Sequence, residues 1–369
     1  MKPVTLFASS HSLYSGRAPS YLIKAAIPFE ESFFSTPHYM QDVLPKAGNR
    51  QGMPTLALTD GTVIRDGAAI IDYFESESGN VFSPASPKQQ ILSRLLDVIG
   101  AEGLLRPAMH YRWNFDEQNL AFLFQHFSAL LPREMQEYTE KMMNSMREAG
   151  RNFGVVPDTF ELVESLYETA LLKMNNHFAE VPYLLGGKPC IGDFGLLAPM
   201  YAHLGRDPKP LSLMQATAIN VFRWVERMNR PGPDKAEFVE MPADYLPGDE
   251  IPETLIELLR HLAIDFLPET QAAADTINQW LADNNVEPGT TAERAVGFAD
   301  FEIEGTPLRA IAQPYRFYLL ARLQNLFQTL SEEDQVDVSA MLANAGLEEI
   351  LELRLTRDIG RQGNLEVWL

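Results

Sequence analysis

The stretch from Gln51 to Phe74 constrains this chain more than any other. Thr55-Leu56-Ala57-Leu58 is a short apolar run ahead of Asp60-Gly61, and Thr62-Val63-Ile64 returns behind it. Asp-Gly between two such runs predicts a hairpin with a type I′ turn. Asp66 stands where a helix opens, with Ala68, Ile70, Ile71 and Phe74 following at helical spacing. Pro54 cannot donate to a strand ladder, so it belongs at the first strand position, and Met53-Pro54 is a candidate cis peptide. The stretch reads as strand, tight turn, strand, helix.

Upstream, Val4 to Ala8 is β-rich, and Ser9 to Gly16 is a small polar loop. A helix is predicted from about Tyr14 to Ala26, with Leu22, Ile23 and Ala26 inward, and Phe29 to Phe34 carries a second strand. Strand-helix-strand followed by hairpin and helix is a thioredoxin-like order on one sheet. Ser76 to Pro87 reads as a linker. Beyond it the periods are helical: Ile91, Leu92, Leu95, Leu96 and Ile99 share a face, and further helices are predicted from Asp158 to Ala179 and from Leu213 to Met228. Between them, Val181 to Met200 contains Gly186-Gly-Lys-Pro-Cys190 and then Asp193, the pattern of a capping box opening a buried helix. Cys190 stands at the cap position, where a thiol accepts weakly, so the cap is expected to be weaker than a Ser or Thr cap by about 0.5–1 kcal/mol.

These residues resemble the glutathione transferase family. Met53-Pro54 matches its cis-proline, Asp66-Gly67 stands where it has an acidic-Ser pair, and the Gly-Gly-Lys-Pro turn with Asp193 matches its buried capping box. The resemblance spans roughly residues 3 to 230. It implies an α/β thioredoxin-like N-terminal domain over residues 1–83 and an all-α C-terminal domain over 88–246. An α+β extension over 247–369 is similar to that of some proteobacterial transferase-like proteins, which suggests a bacterial source. In the extension, Glu253 to Phe266 and Glu269 to Asn284 read as a helix pair broken at Pro268. Residues 295–304 alternate like a strand, helices start at Gln313 and at Ser331, the latter reaching about Leu355, and the tail 363–369 is a candidate strand pairing with 296–303.

What the resemblance implies about chemistry can be placed on residues. The family's Ser-type members activate the glutathione thiol at the N-terminus of the first helix with a Ser-Pro-aromatic-Ser pattern. Ser12-Leu13-Tyr14-Ser15 is the match, with Ser12 as the catalytic hydroxyl. Leu13 departs from the usual proline, and Ser9, Ser10, His11 and Tyr14 are rivals in the same loop. A plain polar turn with Ser as helix cap is the bland alternative. Met53 would present its main chain to glutathione beside Pro54. Asp66 would hold the γ-glutamyl ammonium, and the N–H of Gly67 would meet a carboxylate at the helix N-terminus. Gly67 lacks the family's Ser hydroxyl, and Gly52 departs from its usual Lys or Gln. Gln51, Arg50 and His38 are candidates for the glycyl carboxylate. His110, Tyr111, Arg112 and Trp113 stand where a second-substrate pocket is expected, although aromatic core packing explains them as well.

Composition closes off other classes. The chain has 369 residues and a net charge of −20, which disfavours nucleic acid and anionic membrane surfaces. No run approaches a membrane-spanning length, the N-terminus does not read as a signal peptide, and a cytoplasmic location is expected. With Cys190 alone there is no disulfide framework, and thiol-disulfide exchange has no cysteine in the first loop. No metal-ligand spacing appears. Two readings stay open. One is a Ser-type glutathione transferase acting on a small electrophile, as a homodimer with glutathione as co-substrate. The other is a transferase-fold binding or interaction protein with weak or no glutathione catalysis.

Overall fold

The computed structural model describes residues 3–369. Its first part is a four-stranded sheet in the order β2-β1-β3-β4, built from β1 (Val4–Phe7), β2 (Phe29–Ser32), β3 (Thr55–Ala57) and β4 (Val63–Arg65). β1 and β2 run parallel, and β3 and β4 add antiparallel. Helices α1 (Arg17–Lys24) and α2 (Gly67–Ser78) bury Ala18, Tyr21, Leu22, Ile70 and Ile71. The Met53–Pro54 peptide is cis. This is the thioredoxin-like order.

Two local expectations differ. The first helix begins only at Arg17, after a single 3₁₀ turn over Leu13–Ser15. The β3–β4 turn is not type I′. Gly61 donates to the Leu58 carbonyl, Leu58 donates to Thr62, and in the turn only Gly61 has positive φ (87°). That is a three-residue loop closed by a glycine bulge, which spares Asp60 the left-handed conformation type I′ demands.

The helical part comprises α3 (Pro87–Val98), α4 (Leu105–Trp113), α5 (Asp116–Ala129), α6 (Thr139–Ala149), α7 (Phe160–Glu180), α8 (Ile191–Ala202), α9 (Pro208–Thr217) and α10 (Ile219–Met228). The single helix expected over 213–228 is two, because Ala218 breaks from helical geometry between α9 and α10. α3 and α8 form the central pair. A Cβ on Gly100 would lie 2.4 Å from the Gly195 carbonyl carbon, so glycine permits this close approach. α3 ends in a wider π-type turn over Ile99–Gly103. At the start of α8 the Asp193 carboxylate accepts from the N–H groups of Cys190 (2.9 Å) and Leu184 (3.1 Å) and from Trp224 Nε1 (2.9 Å).

The last third corrects two expectations. α11 (Glu253–Asp283) is one helix running through Pro268. Interior proline costs roughly 3 kcal/mol, but both halves carry buried faces, including Leu258, Leu262, Phe266, Ala273 and Ile277, and that burial favours continuity. The tail does not pair with 296–303. β5 (Phe298–Ile303) pairs with β6 (Thr306–Ile311), and β7 (Ile359–Gln362) pairs with β8 (Leu365–Trp368), as two separate hairpins. Gly305 and Gly363, both at positive φ, allow each strand to turn back on its neighbour. α12 (Pro314–Gln328) and α13 (Glu332–Asn344) lie between the hairpins. α13 stops well short of Leu355, and a short 3₁₀ turn over Glu348–Leu351 follows.

Candidate functional site

The site begins where β4 gives way to α2. Asp66 adopts φ 85°, a conformation uncommon outside glycine, and its Oδ1 accepts from the Ala68 N–H at 3.0 Å, capping α2. That leaves the carboxylate facing the C-terminal segment. Tyr315 donates its hydroxyl to Oδ1 at 2.5 Å, and Arg361 Nη1 donates to Oδ2 at 3.1 Å. Burial penalises the charge, but Arg361, Arg17 and the Tyr315 hydroxyl outweigh it and hold the Asp66 carboxyl below its usual range.

The surrounding main chain is covered by the same segment. Asn364 sets its amide against the free edge of β4, accepting from the Arg65 N–H at 2.9 Å and donating to the Val63 carbonyl at 2.8 Å. Arg65 Nη2 donates to both carboxylate oxygens of Glu366, at 2.6 and 2.7 Å. Arg50 donates to the Ala292 carbonyl at 2.8 Å, and Arg294 donates to the Gln51 carbonyl at 2.5 Å. Arg17 crosses over Gly67, where a Cβ would lie 2.6 Å from Arg17 Cγ, and its guanidinium pairs with buried Asp97 at 3.1 Å. The missing serine at residue 67 is thus the room this arginine takes.

The remaining candidates separate into groups. Ser12 is half-buried ahead of the 3₁₀ turn, and its hydroxyl has no partner among the described residues. The main-chain polar groups of Met53 likewise make no bond among them, and Pro54 is buried. Ser9 is buried against His11 Nδ1 at 3.0 Å, while Ser10 is half-buried. Burial, with Arg112 nearby, pushes the His11 imidazole down to about 3, so it is neutral at pH 7. His38 pairs with Asp42 at 2.9 Å on the surface, and among the described residues it is hydrogen-bonded to neither Asp66 nor Met53. The 110–113 cluster packs inside: His110 meets Glu164 at 2.9 Å, Tyr111 donates to Glu168 at 3.2 Å, and Trp113 packs with Phe127, Leu123 and Met143. Arg112 is buried and holds Asp207 at 2.6 and 2.9 Å and the His11 carbonyl at 2.7 Å. Its hydrogen-bonding face is already filled.

Sequence reasoning did not single out Arg17, Glu102, Gln313, Tyr315 or Arg361. Glu102 carried one usable signal, an acid framed by Gly100 and Gly103 at the end of an apolar helix face. Both of its oxygens are buried with no hydrogen-bond partner. Burial raises its carboxyl to about 7, against the pull of Arg316 and Arg17.

At Asp66 most of the carboxylate is already engaged within the chain. Of about four acceptor positions on a carboxylate, three are in use, and the cation beside the fourth would repel another cation. Among the described residues no group of three or more His, Cys, Asp or Glu side chains is placed to hold a metal, and no helix is long and apolar enough to cross a membrane.

No protein-family model and no curated protein matches the sequence. Solved structures do. A glutathione S-transferase from Sinorhizobium meliloti shares 14% identity over 70% of this chain and 99% of its own, with a TM-score of 0.40. A beta-etherase from Sphingobium sp. shares 17% over 64% and 99%, with a TM-score of 0.44. A glutathione S-transferase from Methylobacterium radiotolerans, solved in complex with glutathione sulfonate, shares 15% over 68% and 100%, with a TM-score of 0.38. Likeness at this level says nothing of chemistry. What the chain's own topology establishes is architecture: a cis-proline thioredoxin-like sheet, a helical part built on the α3–α8 pair, and a C-terminal α+β segment, which together make a glutathione S-transferase-like fold.

Proposed function

We propose that this chain is a transferase-fold binding protein whose glutathione contacts are held by its own C-terminal segment. The observation that carries the reading is the Asp66 carboxylate, bonded to Tyr315 and Arg361 where an incoming ammonium would need it free. Arg17 over Gly67 and Arg294 on the Gln51 carbonyl favour the same conclusion. Calorimetric titration of the whole protein with reduced glutathione at neutral pH tests it. The expected result is no saturable heat up to several millimolar. Saturable binding in the micromolar range by the unaltered protein would overturn it.

A second reading is supported by the unbonded Ser12 hydroxyl and the open main chain of Met53. It is a Ser-type transferase adding glutathione to a small electrophile, as a homodimer. Under it, Ser12→Ala cuts glutathione-dependent turnover at least tenfold with folding unchanged. An equal rate in the variant would remove Ser12 from the chemistry.

A further inference from the structure

Helices α5 and α6 form a hairpin with two apolar faces. The inner face packs Leu123, Phe127 and Met143 against Trp113 of α4. The outer face carries Leu120 and Phe124, which keep 46% and 37% of their surface exposed. Five of the fourteen large apolar side chains exposed among the described residues lie within 116–149, Met135, Tyr138 and Met146 being the others. Scattered singly such side chains are ordinary, but gathered on one hairpin they mark a contact surface.

The outer face is a groove of about 620 Å³ whose walls come from these two helices alone. Leu120, Ala121 and Phe124 stand on one side, and Glu140, Met143 and Asn144 on the other. Asp116 at the start of α5 pairs with Arg147 near the end of α6 at 2.6 Å, so the helices run antiparallel and the groove follows both. From Asp116 to Gln125 the α5 wall is about 14 Å long, roughly two and a half helical turns. A furrow without a roof buries little of a small molecule. A third helix laid along it is covered by both walls, which is the geometry of helix-in-groove recognition.

Charge selects the occupant. Arg147 is engaged by Asp116 and lies 5.9 Å from the centre of the Trp113 ring, and Glu148 pairs with Arg151. Glu117, Glu134, Glu137 and Glu140 have no ion pair among the described residues, and Arg133 and Lys141 are the only other arginine or lysine on the hairpin. A second copy of this chain would bring the same acid excess and the same net charge of −20 to the contact. A helix with an apolar stripe and basic flanks matches both the groove and its charge.

We propose that the α5–α6 groove docks an amphipathic helix of a partner protein, its apolar stripe seated between Leu120, Phe124 and Met143 and its lysines or arginines facing Glu140 and the other unpaired acids of the hairpin. The groove shares no residue with the Asp66 site, so the inference goes beyond the reading given above and fails separately from it.

The test is titration of the full-length protein into a fluorescein-labelled peptide of two Leu-Lys-Lys-Leu-Leu-Lys-Leu repeats, followed by anisotropy. A peptide with Glu at every Lys position and a scrambled peptide of the same composition without an apolar stripe are the comparators. Saturable binding of the first peptide alone is expected, weakening several-fold between about 50 and about 300 mM salt. Leu120→Ser combined with Phe124→Ser lowers the affinity at least tenfold, and Glu140→Lys lowers it about threefold. Val336→Ser, at an exposed apolar position on α13, leaves it unchanged. Ala121→Arg, which obstructs the groove from an exposed position, serves if the double variant does not fold. No saturable binding, equal binding of either comparator, or full affinity in the groove variants would each overturn the proposal. So would a concentration-dependent dimer in sedimentation velocity that the groove variants abolish, because a second copy would then be the occupant.

Discussion

Asp66 and Glu102 lie beneath the same C-terminal segment, and the segment treats them in opposite ways. Asp66 is met by Arg361 and the Tyr315 hydroxyl and is held below the ordinary carboxylate range. Glu102 is buried more deeply, with Arg316 close by, yet its side chain is bonded to nothing and its carboxyl rises to about 7. Burial disfavours both charges, Glu102's the more, and only at Asp66 do donors reach the oxygens to offset it. One segment thus seals one acid and leaves its neighbour unsatisfied.

The contrast gives opposite pH signatures. Asp66 contributes stability above the unfolded carboxylate range, and that contribution is lost as pH falls through its lower folded value. Glu102 does the reverse. Below about 4.5 it is neutral in both states. As pH rises, the unfolded chain ionises first, and the penalty is complete above about 7.

The largest expected effect comes from removing the seal. Arg361→Ala leaves Asp66 without its paired cation, while Glu366 keeps Arg65, and is expected to cost about 3 kcal/mol, read from the urea unfolding midpoint at pH 7. A loss below about 0.5 kcal/mol would mean that Asp66 is not held by the segment. Glu102→Gln is expected to act in the other direction, stabilising by about 2 kcal/mol at pH 8 and by almost nothing at pH 4. Thermal midpoints at the two pH values measure this, and equal shifts at both would remove Glu102's distinct status. The smallest effect is expected for Gly67→Ser, about 1 kcal/mol destabilising, because its Cβ must displace Arg17. The same variant, titrated with glutathione, should gain no affinity; a gain would show that Gly67, rather than the segment, limits the site.

How far the sequence reached follows from distance along the chain. The cis peptide at Met53-Pro54, the hairpin of β3 and β4 and the Asp193 cap all rest on signals within a few residues, and the structure contains each of them. The Asp66 helix cap was legible for the same reason. Its other partners were not: Tyr315 and Arg361 lie 249 and 295 residues away, and no local pattern marks either as the mate of an aspartate. Pro268 misled in the opposite sense. Its local rule is a helix break, but the apolar faces on both sides of it favour one continuous helix. At 110–113, an aromatic and polar run on one helix looked like a pocket wall, and only tertiary packing reveals that Arg112 is occupied by Asp207.

The Asn364 amide against β4 has a consequence for how the molecule is made. β4 is the edge of the four-stranded sheet, and unpaired edges recruit other strands. Arg65 and Asn364 are 299 residues apart. At ribosomal speeds of about 5–20 residues per second, the edge leaves the tunnel roughly 15 to 60 s before the residue that covers it. During that interval neighbouring nascent chains on one message hold identical uncovered edges, and their mutual pairing competes with native folding until the C-terminal hairpin arrives.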